Sequence, residues 1–125
     1  MGLAPGFTAQ TESRNGVGRI VMAGELDMAG VGVLQEHLSR FEQNGVTAII
    51  LDVRDVSFLD SAGLHAFLQA SDRAKTNGHR FVLICPQPSA QRVFMLTGTE
   101  FLLDQRAAAS IVAQFTGTRS PGRSD

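Results

Sequence analysis

The chain predicts an α/β domain built on a mixed, mostly parallel sheet, with about four to five strands and about four helices. Three features carry that expectation. Strand-like and helical runs alternate along the chain with tight connections, a pattern that calls for parallel pairing and crossover helices. "TAIILDV" (47–53) is a short, β-branched, nearly continuous apolar run, the mark of a central strand. Asn15-Gly16 separates two further strand-like runs and predicts a hairpin, because both residues tolerate positive φ.

The elements follow in order. "FTAQTE" and "GRIVMAGEL" are the hairpin strands. From Met28 to Asn44 the spacing becomes helical, with Val31, Leu34, Leu38 and Phe41 on one face, Asp27 as N-cap and Gly45 closing. After the central strand, Leu64, Phe67, Leu68, Ser71 and Ala74 define a second helix that Asn77-Gly78 ends. "RFVLIC" is another buried strand. A third helix is expected over 89–97, with Val93, Phe94 and Leu96 as bulk and Gly98 as the stop. "EFLL" reads as a short edge strand, and the alanine-rich "QRAAASIVAQF" as a final helix. The folded domain is therefore placed at 7–116. Residues 1–6 and 117–125 are small, polar and Pro/Gly-rich and read as flexible ends.

A length of 125 residues suits one domain with a real core. Cys85 is the single cysteine, so no internal disulfide is available, and its apolar setting reads as a small buried hydrophobe. No apolar run reaches the roughly 20 residues of a membrane span, and the N-terminus lacks the pattern of a signal peptide. The expectation is a cytoplasmic protein. The net charge of −1 hides an asymmetry: residues 1–72 carry nine acids and four bases, residues 73–125 three acids and seven bases. An acidic and a basic end suit a protein partner. Dense basic clusters with interleaved aromatics are absent, and Trp and Tyr do not occur, which argues against nucleic acid.

In sheets of this kind functional groups gather where strands turn into helices. Two such junctions stand out, "GELDM" and "FLDSAG". Asp60 or Ser61 serves as N-cap of the second helix, but capping does not explain Gly63, which costs about 1 kcal/mol against alanine inside a helix. Ser-Ala-Gly leaves the first turn bare, as though something approaches it closely. A nucleophilic serine is disfavoured, because Leu59 stands where a nucleophile elbow needs glycine. His65, one turn beyond Ser61, reads as an exposed helix residue; His37 and His79 read as surface. Asp52 and Asp55 read as a strand-end acid and a turn residue, so no metal site is assembled. A phosphoryl group on Ser61 would meet helix N–H donors but also Asp60 and Asp27. Two unit charges about 6 Å apart at an effective dielectric near 20 repel by roughly 3 kcal/mol, more than the roughly 0.3–1 kcal/mol a helix dipole returns. Phosphate there would act as a charge switch.

"GELDM", "AIILDVRDVSFLDSAGL" and "RFVLICPQPSAQRVFMLTG", taken together, resemble the STAS domain of bacterial anti-sigma factor antagonists, from about Phe7 to Phe115. The resemblance implies a STAS-like fold and a regulatory protein that is not an enzyme. It implies Ser61 as phosphoacceptor, and an anti-sigma factor with serine kinase activity as partner and modifying enzyme. A phosphoserine phosphatase would reset the switch. The implied partner-binding face comprises Glu25, Asp27, Met28, Asp60, Ala62, Gly63 and Leu64. No cofactor is expected, since ATP and Mg²⁺ would belong to the kinase. Many members carry a second Ser or Thr where Ala62 stands, and Gly30 and Gly32 weaken the start of the first helix. The alternative is a STAS scaffold or ligand-sensing module that does not use phosphate. Self-association through a free sheet edge is left open.

Overall fold

The computed structural model describes residues 6–84 and 88–117. The remainder of the expected flexible ends, and Cys85 with its expected burial, lie outside the described residues. Strands β1 (Phe7–Arg14) and β2 (Val17–Leu26) form the expected hairpin, with Asn15 at φ 55° and Gly16 at φ 78°. Helix α1 (Met28–Gln43), strand β3 (Ala48–Leu59), helix α2 (Ser61–Asn77) and strand β4 (Arg80–Ile84) follow. The chain then runs through α3 (Pro88–Thr97), a 3₁₀ turn (Glu100–Leu103) and α4 (Gln105–Thr116). The sheet order is β1-β2-β3-β4, antiparallel between β1 and β2 and parallel elsewhere.

Strand alternation divides the sheet into two unequal faces. Ile20, Met22, Ile49, Leu51, Val53 and Leu83 point into the larger core, which Leu34, Leu38 and Phe41 of α1 and Leu64 and Phe67 of α2 complete. Phe94 of α3 joins it by stacking on Phe67, with ring centroids 6.3 Å apart. On the opposite face Val17, Ala48, Ile50 and Val82 pack under Ala108, Ile111 and Phe115 of α4.

Four expectations are corrected. "EFLL" is a 3₁₀ turn and not an edge strand, so the described residues form a four-stranded sheet. A strand would send Leu102 and Leu103 to opposite faces; the tight turn sets both against the larger core. Leu96 is 79% exposed and contributes no bulk, unlike Phe94. His79 is half-buried, its Nε2 without a hydrogen-bond partner. Asp52 and Asp55 both lie inside β3, which continues to Leu59 beyond the Asp52–Ile84 pair where β4 stops.

Asp52 is 3% exposed and lies on the α4 face. Its carboxylate accepts from Arg54 Nε at 3.0 Å and Nη2 at 2.7 Å, and from Arg19 Nη2 at 3.3 Å. Burial alone would raise its pKa; the Arg54 hydrogen bonds, with the charges of Arg54 and Arg19, outweigh it and hold the pKa below the ordinary value. A lowered folded-state pKa contributes stability above the unfolded value and loses it as pH falls through the folded one. Asp52→Asn should therefore flatten the loss of stability below about pH 4 in urea titrations. An unchanged acid limb would contradict this account.

The two α1 glycines differ. A Cβ on Gly30 would stand 3.1 Å from Leu26 Cδ1 and 3.2 Å from the Phe7 ring, whereas one on Gly32 meets nothing within 4 Å. Gly32→Ala is expected to stabilise the domain by up to about 1 kcal/mol in chemical denaturation.

Candidate functional site

The parallel ladder of β2 and β3 ends at the pair Leu26–Leu59. Each strand is followed at once by an aspartate that caps a helix, so Asp27 and Asp60 stand side by side at the carboxyl ends of the two central strands. Asp27 has extended backbone (φ −111°, ψ −168°) and accepts from the N–H groups of Ala29 at 3.1 Å and Gly30 at 3.3 Å. Asp60 does the same for α2, accepting from Gly63 N–H at 3.0 Å. The two junctions singled out in the sequence thus form one surface.

Ser61 occupies the first position of α2 and is exposed. With capping performed by Asp60, its hydroxyl is not committed to the helix terminus. Glu25 is exposed, Met28 is 78% exposed, and Asp27, Asp60 and Ala62 are partly exposed around it. Gly63 and Leu64 are buried, and Leu64 belongs to the larger core. Of the residues expected at the site, the side chains available to a partner are therefore those of Glu25, Asp27, Met28, Asp60, Ser61 and Ala62. His65 is exposed, as expected. Among the described residues no group of three His, Cys, Asp or Glu side chains is arranged to hold a metal, and no helix is long and apolar enough to cross a membrane.

The profile of the STAS domain matches residues 8–111, nearly the whole described fold. The chain belongs to the STAS domain family. A curated relative of this STAS domain, the anti-sigma-B factor antagonist of Staphylococcus aureus (strain NCTC 8325 / PS 47), is 27% identical over 94 residues. That alignment covers 75% of this chain and 87% of the relative. A crystal structure of an anti-sigma factor antagonist from Mycobacterium paratuberculosis has a TM-score of 0.73 at 23% identity, covering 86% of this chain and 96% of its own. The Bacillus cell fate determinant SpoIIAA in its phosphorylated form gives 0.63 at 25% identity, over 84% and 98% of the two chains.

Within this STAS domain two residues change the reading of the site. Phe58, the register partner of Glu25, is 50% exposed beside the junction and adds an aromatic surface there. Its alternation with buried Leu59 was a signal that it faces outward. Gly63 is the second. A Cβ there would lie 2.5 Å from Leu59 Cδ1 and 3.1 Å from Leu26 Cδ2. The close approach that the bare first turn implied is made by the core beneath it, which draws the start of α2 down onto Leu26 and Leu59.

The division of labour between the two polar residues is directly measurable. Asp60→Ala should cost about 1 kcal/mol through the lost cap. Ser61→Ala should change stability by less than about 0.5 kcal/mol, as surface substitutions away from caps do. Equal losses in urea melts would show that Ser61 shares the capping.

Proposed function

We propose that this protein is an anti-sigma factor antagonist whose binding to an anti-sigma factor is switched by phosphorylation of Ser61. The observation that carries this reading is the exposed Ser61 hydroxyl at the first position of α2, beside the cap of α1, with its own helix capped by Asp60. The names of the relatives support the role, and a phosphorylated form exists for the structural neighbour SpoIIAA. The partner is an anti-sigma factor with serine kinase activity, which supplies ATP and Mg²⁺. In the transfer, Ser61 Oγ takes the γ-phosphoryl group, ADP leaves, and the hydroxyl proton passes to a base on the kinase. The unphosphorylated form binds the anti-sigma factor and frees the sigma factor. A phosphoserine phosphatase restores that form, and the cycle runs in the cytoplasm.

Incubation of the purified chain with the anti-sigma kinase and ATP tests the reading by intact mass. One added phosphate is expected on the wild type and none on Ser61→Ala. Absence of any addition, or an addition that survives the substitution, overturns it. The alternative, a scaffold module indifferent to phosphate, would bind its partner equally well as Ser61→Glu.

A further inference from the structure

On the sheet face opposite the larger core, α4 covers only part of the strands. Where its cover stops, a cleft of about 370 Å³ opens between Phe115 and Val112 of α4 and Ile50, Asp52 and Arg54 of β3, with Arg19 of β2 at its side. That volume falls in the range of small-molecule sites, and the lining has their chemistry, an apolar floor with a few convergent polar groups.

Its polar rim is held in place. Asp52, fully buried, grips Arg54 through Nε and Nη2, leaving the Nη1 amino group of Arg54 for another acceptor. Arg19 binds Asp52 through Nη2 and Glu12 through Nη1, which leaves its Nε–H. The Arg19 and Arg14 guanidinium groups lie 5.8 and 5.4 Å from the centroid of the Phe115 ring. Arg19, Arg54 and Asp52 line the cleft, with Arg14, Glu12 and Asp55 acting on them from around it, so arginines and carboxylates balance locally. Guanidinium groups anchored by a buried carboxylate are already ordered, so a ligand anion does not have to order them.

We propose that this cleft binds a small monocarboxylate with an apolar body, its carboxylate on Arg54 and Arg19 and its body on Ile50, Val112 and Phe115. With the local charges balanced, only the unspent guanidinium N–H groups of Arg54 and Arg19 favour an anion. That suits one carboxylate better than a phosphate dianion, and the apolar floor gives a bare inorganic ion nothing to bury. The site is on the α4 face of the sheet, apart from Ser61, and stands whether or not Ser61 is phosphorylated.

The test is a titration of the full chain with phenylbutyrate, followed by methyl and aromatic NMR signals, with the neutral phenylbutanol as comparison. Saturable shifts are expected at Ile50, Val112 and Phe115. Affinity is expected to fall about tenfold or more for the alcohol and for Arg54→Gln. Val112→Phe, which fills the cleft from a half-exposed position, should abolish binding and serves as the second variant if Arg54→Gln disturbs the fold. The proposal is overturned by shifts absent or confined to other residues. It is equally overturned if the alcohol binds as tightly, or if folded variants bind as the wild type does.

Discussion

Gly24→Ala is expected to destabilise the domain by about 3 kcal/mol, a large share of the stability of a chain this size. Gly24 lies at φ +94°, and an ideal Cβ there would stand 1.4 Å from the Gly6 carbonyl oxygen. That oxygen accepts the Glu25 N–H at 2.9 Å, and the β2–β3 register slips between Gly24 and Glu25. The residue is thus a bulge at which the start of β1 crosses close over β2. A side chain brings left-handed backbone strain, about 1–3 kcal/mol, and also displaces Gly6 with loss of its hydrogen bond, about 1 kcal/mol more. Phe7, buried and paired with Gly24, would be pulled from the core by the same movement. Urea unfolding checks this, with Gly32→Ala as a control of opposite sign. A loss under about 0.5 kcal/mol would mean that the bulge is not a structural requirement.

Gly24 also shows where sequence reasoning stopped. The hairpin, the order of the helices and of the four strands, and the Asp27 cap were legible, because each rests on local rules: Asn-Gly turn chemistry, apolar periodicity and an acid before a helical run. The second cap was narrowed only to Asp60 or Ser61. What was not legible depends on contacts between distant residues. The glycine of "GELD" is required by Gly6, far away in sequence. Gly63 invited a functional explanation because its partners, Leu26 and Leu59, converge on it only once the β2–β3 register is set. Asp52 looked like a strand-end acid because nothing local reveals that β3 runs on past β4, nor that Arg19 and Arg54 meet there. Phe58 was passed over for a related reason. Its exposure follows from the long strand, whose last residues pair, among the described residues, with β2 and not with β4. The site itself was legible as two motifs; their union needed the parallel pairing of the strands that carry them.

On the proposed function, that union sets the size of the second large expected effect, a loss of partner binding on phosphorylation of Ser61. Adjacent parallel strands are about 4.8 Å apart, so the caps Asp27 and Asp60 bring two acids to the junction that carries Ser61, with Glu25 just before it on β2. A phosphate brings about −1.5 to −2 charges to this acidic edge. The α2 dipole returns only about 0.3–1 kcal/mol, and of the first-turn donors Gly63 N–H is already taken by Asp60. A partner shaped for the neutral hydroxyl among Met28, Phe58 and Ala62 would have to desolvate the dianion against apolar side chains. Losing about 3 kcal/mol corresponds to roughly a hundredfold in affinity. Calorimetric titration of the anti-sigma factor at physiological salt should therefore show at least about a hundredfold weaker binding for phosphorylated chain. For Ser61→Glu, which carries less charge, the loss should be about tenfold. Raising the salt should recover part of the loss, since the edge is exposed and its charges are screened. Ser61→Ala should bind within about threefold of wild type, because the hydroxyl neither caps the helix nor contributes charge. Equal affinities for the phosphorylated and unmodified chains would place the partner's footprint elsewhere on the domain. Strong loss with a folded Ser61→Ala would instead make the hydroxyl itself the contact.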